Sequence, residues 1–179
     1  SYRLGGEFSE ITSTPRSDLD LEVLEFPSRE IFQKYLNFYP FAEDLIFSGD
    51  LNFSSAGSEY SAVLDLGAAV EGAEENSMQI KGELGNEIAV DFSASALPVN
   101  FSTSEYGFNI RAEAALDFSG SLRGTLNSAI LNLSHSLTDV QINNTALKSV
   151  NGDILVESRR RFSVSETVEF VKGGKLDID

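Results

Sequence analysis

The sequence predicts an all-β chain, and three observations carry that expectation. Apolar and polar residues alternate in runs such as Asp18-Leu19-Asp20-Leu21-Glu22-Val23, and a period of two marks a half-buried strand. Turn-forming Gly, Asn, Ser and Asp interrupt the runs at short intervals. One pattern, apolar-x-Gly-x-apolar, returns as Leu4-Gly5-Gly6-Glu7-Phe8, Phe47-Ser48-Gly49-Asp50-Leu51, Ile80-Lys81-Gly82-Glu83-Leu84, Phe118-Ser119-Gly120-Ser121-Leu122 and Val150-Asn151-Gly152-Asp153-Ile154. Regular short strands with turn signals build a sandwich, a barrel or an open elongated sheet.

In each copy of the motif the Gly and both apolar residues share one strand face, because side chains alternate. A Gly inside a strand costs backbone entropy and marks a bend, a bulge or a close approach. Its repetition predicts a sheet that curves around something, although tight packing between two sheets would use the same glycines. The motif centres at 6, 49, 82, 120 and 152 are 43, 33, 38 and 32 residues apart. That spacing is too irregular for a fixed-rung solenoid and fits a unit of a few strands with variable loops.

Taken in order, the segment from Tyr2 to Thr12 reads as a strand through Leu4, Gly6 and Phe8, and Ser13 to Ser17 as a turn. The strand from Asp18 to Val23 carries a row of acids (Asp18, Asp20, Glu22) that is expected on a solvated face, since calcium ligands wrap a loop rather than lie in a line. Residues 28–39 predict the one helix. Ser28 is placed to cap it, Pro40 to end it, and Ile31, Phe32, Tyr35, Leu36 and Tyr39 form an apolar stripe that packs on or caps the sheet. Its only cations are Arg29 and Lys34, which argues against a membrane-surface helix.

Strands are then expected at Leu45 to Phe53 and Tyr60 to Leu66, followed by a polar loop from Glu71 to Asn76. Met78 to Leu84 and Glu87 to Phe92 form a hairpin over Gly85-Asn86, and Leu97 to Phe101 and Tyr106 to Ile110 form a second pair. Ala112 to Leu126 is the longest apolar ribbon. Ile130 to Leu133, Asp139 to Ile142, Asp153 to Glu157, Arg161 to Phe170 and Leu176 to Ile178 complete the series, with turns at Asn143-Asn144, Asn151-Gly152 and Gly173-Gly174.

The 28 acidic residues outnumber the 13 basic ones, a formal charge of −15. Nucleic acid and anionic lipid surfaces both need Lys/Arg patches, so neither is an expected electrostatic partner. Hydrophobic content of 41% suffices for a core. There is no Cys, hence no disulfide and no thiolate site. No run approaches the roughly 18 apolar residues of a spanning helix. The chain opens on Ser1 and stops inside the alternating run Lys175-Leu176-Asp177-Ile178-Asp179. It is therefore expected to be one domain, residues 1–179, cut from a longer protein whose further strands would pair with its ends.

Nothing in the sequence predicts catalysis. The single histidine, His135, sits in Ser134-His135-Ser136 near Asp139, which reads as a polar turn between strands. No G-x-S-x-G, P-loop, G-x-G-x-x-G or H-E-x-x-H is present. No cofactor or metal site is expected. Arg159-Arg160-Arg161 is the one basic cluster.

The run from Leu116 to Leu133 resembles the repeated strand pattern of AsmA-like proteins of the TamB type. The continuation from Leu137 to Ile154 is similar, as is Asp44 to Phe53 just after Pro40. The match covers about two thirds of the chain and rests on periodicity and Gly placement. The Pro that this family often carries where the second strand of the pattern begins is absent at Ser128-Ala129. The resemblance implies an elongated, curved amphipathic sheet folded into an open taco with an apolar interior. It also implies an anchor in the inner membrane of a diderm bacterium, a path across the periplasm and transport of phospholipid to the outer membrane. A link to outer-membrane protein assembly through a BamA-like barrel comes with it.

By parity, the residues expected to line such a groove against phospholipid acyl chains are Phe47, Leu51, Phe53, Leu64, Leu66, Ile80, Leu84, Leu116, Phe118, Leu122, Leu126, Leu133, Ile154 and Val156. Each buried methylene of an acyl chain contributes about 0.8 kcal/mol without any polar contact. The competing expectation is a closed structural or adhesive β-sandwich with no lipid ligand. A carbohydrate-binding module is a weaker third, because sugars stack on exposed aromatics and the chain has no Trp.

Overall fold

The alternating runs of the described residues lie in strands, and each strand pairs with the next one in the chain. The computed structural model describes residues 2–9, 16–29, 33–34, 39, 41, 43–56, 59–70, 72–103, 110–125, 127–158 and 161–179. The strands are β1 (Tyr2–Ser9), β2 (Arg16–Pro27), β3 (Leu45–Ala56), β4 (Glu59–Val70), β5 (Ala73–Leu84), β6 (Ile88–Thr103), β7 (Ile110–Gly124), β8 (Ile130–Ile142), β9 (Thr145–Ser158), β10 (Arg161–Phe170) and β11 (Lys175–Ile178). They form one antiparallel sheet in the order β1 to β11, without a crossover. β1 and β11 are its two edges, so the sheet is not closed. A sandwich requires two sheets, and the described strands form one. Among the described residues no helix is long and apolar enough to cross a membrane.

The strands are longer than their apolar centres indicate. Ser134-His135-Ser136 lies inside β8, and Asn151-Gly152 lies inside β9, so neither is a turn. The outward polar residues find partners across the ladder instead of breaking it. Ser134 Oγ donates to Asp153 Oδ1 at 2.5 Å, and Ser136 Oγ donates to Asn151 Oδ1 at 2.6 Å. The polar loop expected at Glu71 to Asn76 shrinks likewise, since β5 already begins at Ala73. Leu97 to Phe101 is not a separate strand but the second half of β6, reached through a register shift between Ala94 and Leu97.

That shift has counterparts between Val23 and Phe26 on β2 and at Asp139 on β8, where Glu113 pairs Gln141 but Ala115 pairs Thr138. Glu25, Ala96 and Asp139 adopt φ of 49°, 48° and 54° at these places. All three fall in the C-terminal halves of their strands. A bulge bends its strand and sharpens the local twist. At β6 the bulge is held by Asp117, whose Oδ1 accepts the Ala96 N–H at 3.0 Å.

The five motif glycines fall on β1, β3, β5, β7 and β9. The repeating unit is therefore a two-strand hairpin, and the uneven spacing is strand and loop length. A methyl group on Gly82 would overlap the Ala89 carbonyl and stand 2.6 Å from Val90 Cα. At Gly49 it would overlap the Asp65 carbonyl and stand 2.9 Å from Leu66 Cα. These notches are filled by the backbone of the following strand. At Gly120 and Gly152 the Asn132 and Ser165 carbonyls approach in the same way, and side chains share the space, the Phe92 ring and the Glu166 carboxyl group.

The best-buried cluster joins Leu45 of β3, Ala68 and Val70 of β4 and Leu97 of β6, with Leu45 and Leu97 fully enclosed. β3 and β6 are three strand spacings apart, about 14 Å in a flat sheet, so the contact is made by bending. Phe41, ahead of β3, forms an antiparallel bridge with Val99 of β6. Tyr39 organises this corner. Its hydroxyl donates to the Glu43 carbonyl at 2.9 Å and accepts from the Leu45 N–H at 3.1 Å and the buried Ser28 hydroxyl at 2.8 Å. Arg29 stacks over its ring at 4.4 Å and pairs with Asp44. Residues 28–29 and 33–34 are helical, with Gln33 and Lys34 exposed. Ile31, Phe32, Tyr35 and Leu36 of the expected stripe lie outside the described residues.

Candidate binding face

The registers line up the residues of the apolar face into rows that cross nine or ten of the eleven strands. One row runs Leu4–Leu21–Leu51–Leu64–Gly82–Val90–Leu122–Leu131–Val156–Phe162, from β1 to β10. The next runs Val23–Gly49–Leu66–Ile80–Phe92–Gly120–Leu133–Ile154–Val164. A third runs Phe26–Phe47–Ala68–Met78–Ala94–Phe118–His135–Gly152–Glu166. The opposite face carries the charge. Arg3, Glu22, Asp50, Asp65, Lys81 and Asp91 form one cross-strand row there, with ion pairs Arg3–Glu22 at 3.5 Å and Lys81–Asp65 at 3.2 Å. Asp18 and Asp20 are exposed, and with Glu22 they share this polar side of β2.

The expected lining residues distribute over these rows. Leu51, Leu64, Leu122 and Val156 lie on the first, and Leu66, Ile80, Leu133 and Ile154 on the second. Phe47 and Phe118 lie on the third. Phe53 and Leu84 lie on a shorter row before the first, and Leu116 on one beyond the third, opposite Leu97 and Leu137. Leu126 is outside the described residues. Ile80, Leu116, Phe118, Leu133 and Ile154 come together with Met78, Phe92, His135 and Glu166 around a cavity of about 540 Å³.

Cover over this face is uneven. Leu64, Ile88 and Val90 are buried in the middle of the sheet, whereas Leu4 on β1 and Phe162 on β10 are 67% and 74% exposed. Leu176 and Ile178 on β11 are also exposed.

Two polar side chains interrupt the apolar rows. His135 Nε2 stands 3.3 Å from Glu166 Oε1, across Gly152 of the intervening strand, with both side chains largely covered. His135 Nδ1 and Glu166 Oε2 are buried without a hydrogen-bond partner in the protein. Ser134 and Ser136 point to the opposite face, as their cross-strand bonds show, so no Ser-His-Asp arrangement is assembled. Among the described residues no group of three His, Asp or Glu is placed to hold a metal ion. Arg161 pairs with Glu157 at 3.4 Å; Arg159 and Arg160 lie outside the described residues.

Sequence parity could have found this pair. Leu131, Leu133, His135 and Leu137 alternate, as do Phe162, Val164, Glu166 and Val168. Reading 134–136 as a turn split β8 and hid the first series. Comparison with family models, with curated proteins and with solved structures returns no match to this chain.

Proposed function

We propose that the inner face of the sheet is an acyl-chain groove, and that the chain is a non-catalytic segment of a longer protein that shields phospholipid chains. The observation that carries this reading is the apolar row from Leu4 to Phe162. It continues through ten consecutive strands of one open sheet. An amphipathic sheet must cover its apolar face. Here the cover is incomplete, since Leu4 and Phe162 at the two ends of the row are exposed while Leu64 and Val90 between them are buried, and exposed apolar surface on such a face marks a binding site. A hydrocarbon chain fits such a surface because its affinity scales with buried length and needs no polar contacts. The TamB-type resemblance supports the same reading. It adds the setting: a periplasmic protein anchored in the inner membrane, moving lipid to the outer membrane and working with a BamA-like barrel.

Native mass spectrometry and solvent extraction of the purified chain test the proposal. Phospholipid is expected to co-purify and to be lost on Leu122→Asp or Phe162→Asp. Phe162 is exposed, so its replacement leaves the fold intact. A folded protein that carries no lipid, and takes up none when mixed with phospholipid vesicles, would overturn it.

A further inference from the structure

We infer that the His135–Glu166 pair is a head-group site for an acyl amphiphile bearing a primary ammonium, an inference that rests on the acyl-chain reading above. The pair sits where the third inward row should be apolar, beside Phe118 and the cavity lined by Ile80, Phe92 and Leu133. A charged group in such surroundings is costly unless fully paired. This one is paired on one side only. Glu166 Oε1 faces His135 Nε2 at 3.3 Å, while Oε2 and His135 Nδ1 have no partner in the protein.

The sequence makes room for this carboxylate. Gly152 lies between the two residues on β9, and a methyl there would stand 2.5 Å from both Glu166 Cδ and Oε2. The Ser165 carbonyl stands equally close, so the notch admits both the backbone of β10 and the Glu166 carboxyl group, and a side chain there would displace the carboxyl group. The last torsion of a Glu side chain is broad, so a partial turn about it brings a carboxylate oxygen toward the cavity that Glu166 lines. What that oxygen lacks is a hydrogen-bond donor. A primary ammonium supplies N–H donors and positive charge together, and such charge-assisted bonds are the strong ones. A quaternary ammonium supplies the charge without a donor. An anionic head would meet both the carboxylate and a chain of formal charge −15.

The test titrates the purified chain with lysophosphatidylethanolamine and with lysophosphatidylcholine of the same acyl chain, below their micelle concentrations, by calorimetry. The primary amine is expected to bind about tenfold more tightly. In His135→Leu/Glu166→Leu both lipids should bind alike while affinity for the chain persists. Replacing both members together avoids leaving one charge buried alone. Glu166→Gln keeps the shape and removes the charge, and should also lose the preference. Equal binding of the two lipids by the native chain, or a preference unchanged in these variants, overturns the head-group site and leaves the groove standing. Binding of neither lipid overturns the groove as well.

Discussion

Phe41 bridges to Val99 across the width of β4 and β5. Leu45 of β3 and Leu97 of β6 meet in the buried cluster against which Phe41 packs, so the sheet bends to bring β3 and β6 together. Packing at this bend should dominate stability. Leu97→Ala removes a fully enclosed side chain and is expected to cost about 3 kcal/mol. Leu4→Ala, on the exposed end of the apolar row, should change stability by less than about 0.5 kcal/mol. Urea denaturation midpoints at constant slope measure both.

The motif glycines predict opposite signs at two positions. Gly82 has φ of 153° and its place beside Val90 leaves no room for a methyl, so Gly82→Ala should destabilise by about 2 kcal/mol. Gly67 on β4 is outside the motif, and a methyl there meets the nearest atoms at 4.0 Å. Gly67→Ala should stabilise by about 0.5 kcal/mol through the unfolded chain. Equal effects at the two sites would show that the motif does not mark close strand approach.

The all-β class and the apolar face of the sheet were legible because period-two alternation survives in nearly every strand. The hairpin unit was not, because variable strand lengths blur the Gly spacing and only the registers place every motif on alternate strands. The bulges at Glu25, Ala96 and Asp139 were hidden for a physical reason. These residues adopt left-handed backbone without being Gly, so no residue type announces the shift. The Ala96 bulge depends instead on a remote acceptor, Asp117. The His135–Glu166 pair was obscured by composition: a Ser-His-Ser triplet looks like a turn until Asp153 and Asn151 are seen bonding its serines from β9.

Tyr39 should matter through its hydroxyl rather than its ring. Tyr39→Phe keeps the edge-to-face contact with Phe41, whose ring centroid is 5.6 Å away. It removes the acceptor for Leu45 N–H and the partner of the buried Ser28 hydroxyl. A loss of about 2 kcal/mol is expected. Ser28→Ala added to it should cost much less than in the native chain, since its partner is already gone. Additive losses in the double-mutant cycle would sever the link between the two hydroxyls.

The outer face near the C-terminal edge should titrate in a defined direction. Lys148 Nζ donates to Glu169 Oε2 at 2.8 Å, and this bond, followed by the attraction between the two charges, lowers the Glu169 carboxyl below its ordinary 4.5. Asp177 is lowered from 3.8 by its bond from Lys175 and then by that from the Thr167 hydroxyl. A depressed folded-state value means that the stabilisation is present above the unfolded-state value. It fades as pH falls through the folded one, so the Glu169 contribution is lost on acidification below 4.5 and the Asp177 contribution below 3.8. The lysines, raised above 10.5, lose theirs only in strong base. Carboxyl NMR titration should place Glu169 below 4.5 in the native chain and move it back up in Lys148→Met. All four groups reach solvent, so the shift should shrink in 1 M salt. A Glu169 value indifferent to both Lys148 and salt would refute the pairing.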